Sequence, residues 1–561
     1  MISVLYLRYG QNFQPAAFIL IGISFALIII LVWKNRGLFG SCFKNISWRS
    51  EILLTILIMF FSFLVAFSGF NFKTFIPSDT EWESLLEAKQ IIHGEQIFTH
   101  TRYGLIYPLV LSIGFRTFGF TPLVASILNF IFGVLSIILI FAIAQIIFQN
   151  EIISLISSYI YAFTPLVFVF TAFEMGFPAI VTFFLLLFSL TALLYFKYHT
   201  LSLLFLSLLL IIIISQIKPE YFIISIPFII CFILFKDYKK LPLKSLLVIL
   251  AICFILSLPY IIKVISLKSS YSDNWCGFIS QTNSSNVLSV PKSALVQYLD
   301  RILKFVLNNR FSLVYFVYDI PNFVKFWALT SFALVSILIL IGIIANFNKV
   351  FKKSLFLILL FIFISFVYLS DCAYYESRYA IPTYSLIVCF GGFGIYFISN
   401  SVSRKPRYKY ITIILIITLL FVYWYNTNYR TYILKSSYKD HFHTRHVQDE
   451  YQRLVATVKD IDKNTSSILV VHSNEMLILQ FLDYDASSLV SIEEFNRFEK
   501  EKFDTIKLPF NPNKNNYFIE SWYCDTLINL QAACNFIKNN YKITLVQQKN
   551  EDKIYLYSER N

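Results

Sequence analysis

The chain has 561 residues, of which 57% are hydrophobic and only 14% charged, with a mean hydropathy of +0.66. No soluble globule hides that much apolar side chain, so the composition excludes a soluble protein and implies an α-helical polytopic membrane protein. The net charge of +14 would suit a nucleic-acid partner, but its distribution argues against one. Lys34, Arg36, Lys44 and Arg49 form one group, Lys236, Lys239, Lys240 and Lys244 a second, Lys349, Lys352 and Lys353 a third, and Arg404, Lys405, Arg407 and Lys409 a fourth. Each group falls in every second connection between apolar runs, the pattern of cytoplasmic loops.

The apolar runs lie at 16–33, 52–70, 122–148, 151–170, 176–196, 200–216, 220–235, 243–265, 326–346, 354–370, 380–399 and 410–425, which predicts about twelve spans. The first starts after residue 15 without a basic n-region, so it reads as a retained span rather than a cleaved signal. With the basic connections in the cytoplasm, both chain ends lie outside the plasma membrane. So do 71–121, 171–176, 217–220, 266–325, 371–379 and everything after about 426.

The outer loop 71–121 opens on Pro77-Ser78-Asp79-Thr80-Glu81-Trp82-Glu83. Trp82, Leu85, Leu86, Lys89 and Ile92 then follow helical spacing, and Gly94 can end that helix. Tyr103–Phe118 is apolar but carries Pro108 and Arg116, so it reads as a helix lying in or dipping into the outer interface. The outer loop 266–325 contains a polar stretch, Ser269–Asn286. Residues 1–425 form the membrane domain, and 426–561 form a small extracytoplasmic α/β domain. In that domain strands are predicted at Ile468–His472, Tyr517–Tyr523, Lys542–Gln547 and Lys553–Tyr557, and helices at Glu475–Leu482 and Thr526–Asn539. Cys276, Cys372, Cys524 and Cys534 face outward and can pair in an oxidising compartment, Cys524 with Cys534 among the options, though no spacing demands it.

Polar groups retained at the outer ends of apolar runs are functional candidates, because membrane depth penalises them. Asp79 is the first, with two readings: a catalytic carboxylate, or a first-turn acid beside the capping box made by Ser78 and Glu81. Glu174 lies in a very short outer turn without a cation, and is either a solvated turn acid or a second functional acid. Lys218-Pro219-Glu220 sets a cation against the topological bias; it either snorkels or meets an anionic headgroup. In the outer turn from Asp371 to Tyr379, Arg378 either pairs with Asp371 or Glu376 or holds a phosphate bidentately. His100, Arg102 and Tyr103 are weaker members of the same layer. His441, His443 and His446 beside Asp440 lack a familiar zinc spacing and read as a solvated linker. No P-loop, GxGxxG or GxSxG is convincingly placed.

In order and sidedness these pieces resemble the GT-C superfamily of polytopic glycosyltransferases, nearest the branch of the aminoarabinose transferases and protein O-mannosyltransferases. The resemblance covers roughly residues 52–400. It is carried by Ser78-Asp79, Ala88, Gly94, Tyr107-Pro108 and Phe118-Gly119, then by Glu174, Lys218-Pro219-Glu220 and Arg378-Tyr379. Several relatives have Asp-Glu where Thr80 intervenes here, and others have Lys-Pro-Pro where this chain reads Arg102-Tyr103-Gly104. The second acid is glutamate rather than the aspartate of many relatives. The resemblance implies an inverting membrane glycosyltransferase using a polyprenyl-phosphate sugar donor. Asp79 would be general base and Glu174 would orient a reactant. Arg102, Lys218, Glu220, Arg378 and Tyr379 would contact substrate, without a required metal or other cofactor. The implied acceptor is a lipid, glycan or protein. Two rivals stand beside it: a polysaccharide polymerase or ligase, and a lipid or sugar flippase or transporter, which would bury ionisable groups along a pathway.

Overall fold

Each of the twelve apolar runs carries a helix in the computed structural model. It describes residues 2–44, 46–69, 79–94, 104–164, 167–168, 171, 177–235, 237, 242–266, 333–346, 351–370, 380–402, 405–424, 451, 453–490, 511, 513–521, 524, 528–549 and 552–559. In chain order the helices are α1 (Ile2–Lys34), α2 (Arg36–Gly40), α3 (Trp48–Gly69), α4 (Asp79–Ile92), α5 (Ile106–Phe118), α6 (Leu123–Phe148), α7 (Glu151–Ala162), α8 (Pro178–Tyr198) and α9 (Leu201–Ile217). They continue with α10 (Ser225–Leu234), α11 (Leu243–Ser266), α12 (Ala333–Asn346), α13 (Phe351–Ser370), α14 (Ala380–Val402), α15 (Pro406–Trp424), α16 (Ser473–Phe481) and α17 (Ile528–Asn540). Among the described residues, five helical stretches are long and apolar enough to cross a membrane: Pro15–Lys34, Trp48–Val65, Leu123–Phe148, Pro178–Tyr198 and Ile381–Val402. Shorter apolar stretches of 10–17 residues, among them Glu151–Ala162, Leu201–Ile217 and Val335–Asn346, fall short of the ~20 that cross a hydrocarbon core.

The chain divides into two compact units. The first comprises residues 1–71, 96–110 and 123–434; the second comprises 72–95, 111–122 and 435–561. The residues carrying α4 and the end of α5 thus group with the C-terminal sheet rather than with the apolar helices.

Within the first unit α14 packs on α7, α8, α12, α13 and α15. Small residues let backbones meet, as membrane helix packing favours. A Cβ on Gly342 of α12 would lie 1.8 Å from the Phe390 carbonyl oxygen, and one on Gly394 of α14 would lie 2.1 Å from that of Leu338. Helix starts are fixed by polar side chains. Asn150 accepts hydrogen bonds from the amides of Ile152 and Ile153, capping α7. The Glu151 carboxylate accepts from the Ser47 amide and hydroxyl and from the Ser50 hydroxyl, tying α7 to the start of α3.

The second unit is built on a five-stranded sheet of β1 (Ser466–His472), β2 (Asp485–Val490), β3 (Asn515–Glu520), β4 (Tyr541–Lys549) and β5 (Asp552–Glu559), in the order β2-β1-β3-β5-β4. β1 runs parallel to β2 and β3, with Ile468 opposite Ala486 and Tyr517, while β5 is antiparallel to β3 and β4. α16 is the crossover between β1 and β2. Beneath it Arg453 bonds to the buried carboxylates of Glu475 and Asp552, and Thr457 donates to Asp552 at 2.8 Å. Cys524 and Cys534 form a disulfide, one of the pairings the sequence left open. The sequence reading missed β2 and the helical residues 453–458; its strand Tyr517–Tyr523 corresponds to β3, Asn515–Glu520, with 522–523 outside the described residues.

Candidate functional site

α4 begins at Asp79, with Glu81 next but one in the sequence. The buried face of α4 is Ser84, Leu85, Ala88 and Lys89. Gly94, at φ +77°, takes the left-handed conformation that stops a helix where other residues are strained. Lys89 belongs to the apolar stripe by spacing, yet it is a buried ion. Its Nζ donates to the Phe481 carbonyl oxygen at 2.5 Å and to Asp483 Oδ1 at 2.6 Å, and lies 5.3 Å from the Phe481 ring centroid. Both partners follow from the end of α16, where Asp483 adopts φ +69°. The second unit also stacks His93 on Phe120 at 6.0 Å and sets Phe115 6.1 Å from Phe481.

In the first unit Lys218 stands where α9 ends. It leaves the helix in an extended conformation, φ −145°, and caps the 3-10 helix Pro219–Ile224, which contains Glu220. Proline at the first position of that turn costs no hydrogen bond. Lys218 is buried, and its Nζ lies 5.1 Å from the ring centroid of Phe177, which immediately precedes α8. Gly104 lies against the same helix end: its amide donates to the Ile217 carbonyl at 3.2 Å. A Cβ on Gly104 would fall 1.4 Å from the Gln216 carbonyl oxygen, so only glycine fits. Gln216, also buried, donates from Nε2 to the Leu256 carbonyl at 3.3 Å.

Gly104, Phe177 and Lys218 therefore meet at the end of α9. Gly104 is two residues past Arg102, Phe177 is three past Glu174, and Lys218 is there itself. Arg102, Glu174, Arg378 and Tyr379 lie outside the described residues, as do the 267–325 loop, Cys276, Cys372 and the Asp440–His446 cluster; of Asp79 and Glu220 the backbone is described. α14 begins directly after Tyr379, and its Tyr384 shares a 2.9 Å hydrogen bond with Thr164. Lys89, Gln216 and Phe177 were not singled out as functional from the sequence. A lysine inside an apolar helical stripe was the one signal pointing to Lys89, and nothing local marked the others. Among the described residues no group of three or more His, Cys, Asp or Glu side chains could hold a metal ion.

Helical stretches long and apolar enough to cross a membrane, together with a small α/β unit, define the architecture of a membrane protein. Residues 103–262 match the family described as dolichyl-phosphate-mannose-protein mannosyltransferase. The fold is similar to that of ArnT from Cupriavidus metallidurans bound to undecaprenyl phosphate, with a TM-score of 0.52 and 8% identity over 91% of this chain and 98% of that one. It is also similar to the Archaeoglobus fulgidus oligosaccharyltransferase, with a TM-score of 0.54 and 12% identity over 92% of this chain and 75% of that one. The archaeal oligosaccharyltransferase AglB from Archaeoglobus fulgidus, in complex with an inhibitory peptide and a dolichol-phosphate, gives a TM-score of 0.53 at 12% identity over 92% of this chain and 75% of that one. No curated protein matches the chain by sequence. The family match is thus confined to residues 103–262, and the fold as a whole is similar to that of these membrane enzymes.

Proposed function

We propose that the protein transfers a sugar from a polyprenyl-phosphate donor to a hydroxyl of a lipid, glycan or protein acceptor at the extracytoplasmic face of the plasma membrane. The observation that carries this reading is the meeting of Lys218, the segment after Arg102 and the segment after Glu174 at the end of α9. A buried lysine there is desolvated, so its attraction for a phosphate oxygen is stronger than at an open surface.

The acceptor hydroxyl oxygen attacks the anomeric carbon as the bond from that carbon to the phosphate oxygen breaks. The departing electron pair stays on the polyprenyl phosphate, and the hydroxyl proton passes to the Asp79 carboxylate. Direct displacement inverts the anomeric centre. Lys218 and Arg378 offset the charge that grows on the leaving phosphate, and Arg102 takes the place of the lysine that relatives carry before the interfacial helix. Glu174 orients a reactant, while Glu220 and Tyr379 line the donor side. The phosphate is already a good leaving group, so this route needs no metal.

The test is glycosyl transfer by reconstituted protein offered a panel of radiolabelled polyprenyl-phosphate sugars, comparing wild type with Asp79→Asn. General-base removal is expected to lower kcat by roughly 10²–10⁴-fold, with donor binding retained. Equal turnover in both would remove Asp79 from the chemistry and leave it as a helix-end acid.

A further inference from the structure

The helix that begins with Asp79 ends in a buried lysine whose bonds all go to another part of the second unit. Burying a lysine is costly unless the ammonium is paired, and a leucine or methionine would pack the same stripe without that cost. At Lys89 the ammonium is committed to the Phe481 carbonyl, to Asp483 and to the Phe481 ring face. It is therefore occupied as an anchor and is not offered to a substrate.

From this geometry we infer that Lys89 is a positioning residue for Asp79, clasping α4 to the α16–β2 turn so that the start of the helix is held in place within the second unit. The inference rests on Asp79 being the base. Ten residues of helix separate the two, about 15 Å at 1.5 Å per residue. A tilt of about 4° at Lys89 then moves Asp79 by about 1 Å, and a misplacement of that size costs on the order of 10²-fold in rate. The C-terminal sheet thereby takes part in the reaction without touching substrate.

The experiment is steady-state transfer by the full-length reconstituted protein for wild type, Lys89→Met, Lys89→Arg, Asp483→Asn and Asp79→Asn. It is paired with hydrogen exchange at the α4 amides and protease resistance of the sheet. Lys89→Met is expected to lower kcat on the order of 10²-fold, leave donor KM within about threefold, and speed exchange in α4 while the sheet stays protease-resistant. Arginine keeps the charge and reaches both oxygens with its fork, so Lys89→Arg is expected to recover most of the rate. Asp483 is 66% exposed, and asparagine tolerates its left-handed backbone. Asp483→Asn is therefore a second variant safe for folding, expected to lower kcat severalfold with KM unchanged. Wild-type kcat in Lys89→Met and Asp483→Asn, beside an inactive Asp79→Asn, would overturn the inference and leave the base assignment standing. So would a loss in Lys89→Met that tracks loss of protease resistance, with wild-type kcat in Asp483→Asn. A fully active Asp79→Asn would instead overturn the base assignment itself.

Discussion

Arg453 is the residue on which the C-terminal unit balances its interior charge. It faces two carboxylates, Glu475 and Asp552, both fully buried. Burial pushes the Glu475 carboxyl above its ordinary 4.5, against the pull of Arg453 and the Ser521 hydroxyl, and the nearby Asp552 charge adds to the rise. Glu520 goes the other way. Burial raises it, but hydrogen bonds from Lys538 and Tyr555 and the charges of Lys538 and Lys553 outweigh that and hold it below 4.5. The two acids therefore act in separate windows. Folded Glu475 keeps its proton to a higher pH than the unfolded chain does, so its contribution is present below 4.5 and is lost as pH rises from there through the raised value. Glu520 contributes above 4.5 and is lost as pH falls through its lowered value. Pulse proteolysis of the sheet in urea, using full-length protein, reads this directly. Wild type is expected to lose resistance as pH climbs from 4.5, and Glu475→Gln to flatten that decline while leaving the acid limb. Identical profiles would remove Glu475 as the cause. None of this network was legible in the sequence, because Arg453 lies 22 residues from Glu475 and 99 from Asp552. Lys218 stands out in the sequence as a cation breaking the rule of sidedness, and the structure buries it at the end of α9.

At the scale of elements, hydrophobic run length located the apolar helices, and α4 with its Gly94 stop was readable from spacing alone. β2 was not. Asp485-Ala486-Ser487-Ser488-Leu489-Val490 is small and polar in its first four residues, and it becomes a strand because β1 offers it a parallel edge. The join of α5 to α9 was equally invisible, since it depends on an absent side chain. Gly104 allows the backbone before α5 to meet the Gln216 carbonyl, and an added methyl has backbone rather than a flexible side chain in its way. Gly104→Ala is therefore expected to force the backbone before α5 away from the end of α9. Donor binding should weaken at least tenfold, about 1.4 kcal/mol or more. Gly119→Ala is the control, because that glycine meets nothing within 4 Å and its cost is confined to its positive φ. Equal donor affinity in Gly104→Ala and wild type, measured by binding of a fluorescent polyprenyl phosphate, would show that the join does not shape the donor site.

For the whole molecule, the sequence supplied the membrane class and the expectation of a C-terminal α/β domain. It divided the chain at 425/426, whereas the compact units cut differently, with 72–95 and 111–122 joining the C-terminal sheet. Run lengths and charge cannot reveal such a grouping, because it is made by Lys89 and Phe115 meeting residues more than 360 positions away. Orientation is where sequence and structure bear on each other most usefully. Alternating basic connections predict that the C-terminal unit lies outside, and a Cys524–Cys534 disulfide is what an oxidising compartment would permit there. The four described cysteines of the helical unit, Cys42, Cys231, Cys253 and Cys389, are by contrast free and buried. Closing a loop with a sequence separation of 10 is worth ~3 kcal/mol in the chain-entropy description, so Cys524→Ser with Cys534→Ser should lower the urea midpoint of the sheet. In intact cells, residues 524 and 534 should resist a membrane-impermeant maleimide until an impermeant reductant is added, and should then label together, as read by peptide mapping. Labelling that requires permeabilised cells and no reductant would put the sheet in the cytoplasm. That result would move Asp79, whose helix groups with the sheet, away from an extracytoplasmic donor, and the proposed direction of transfer would fall with it.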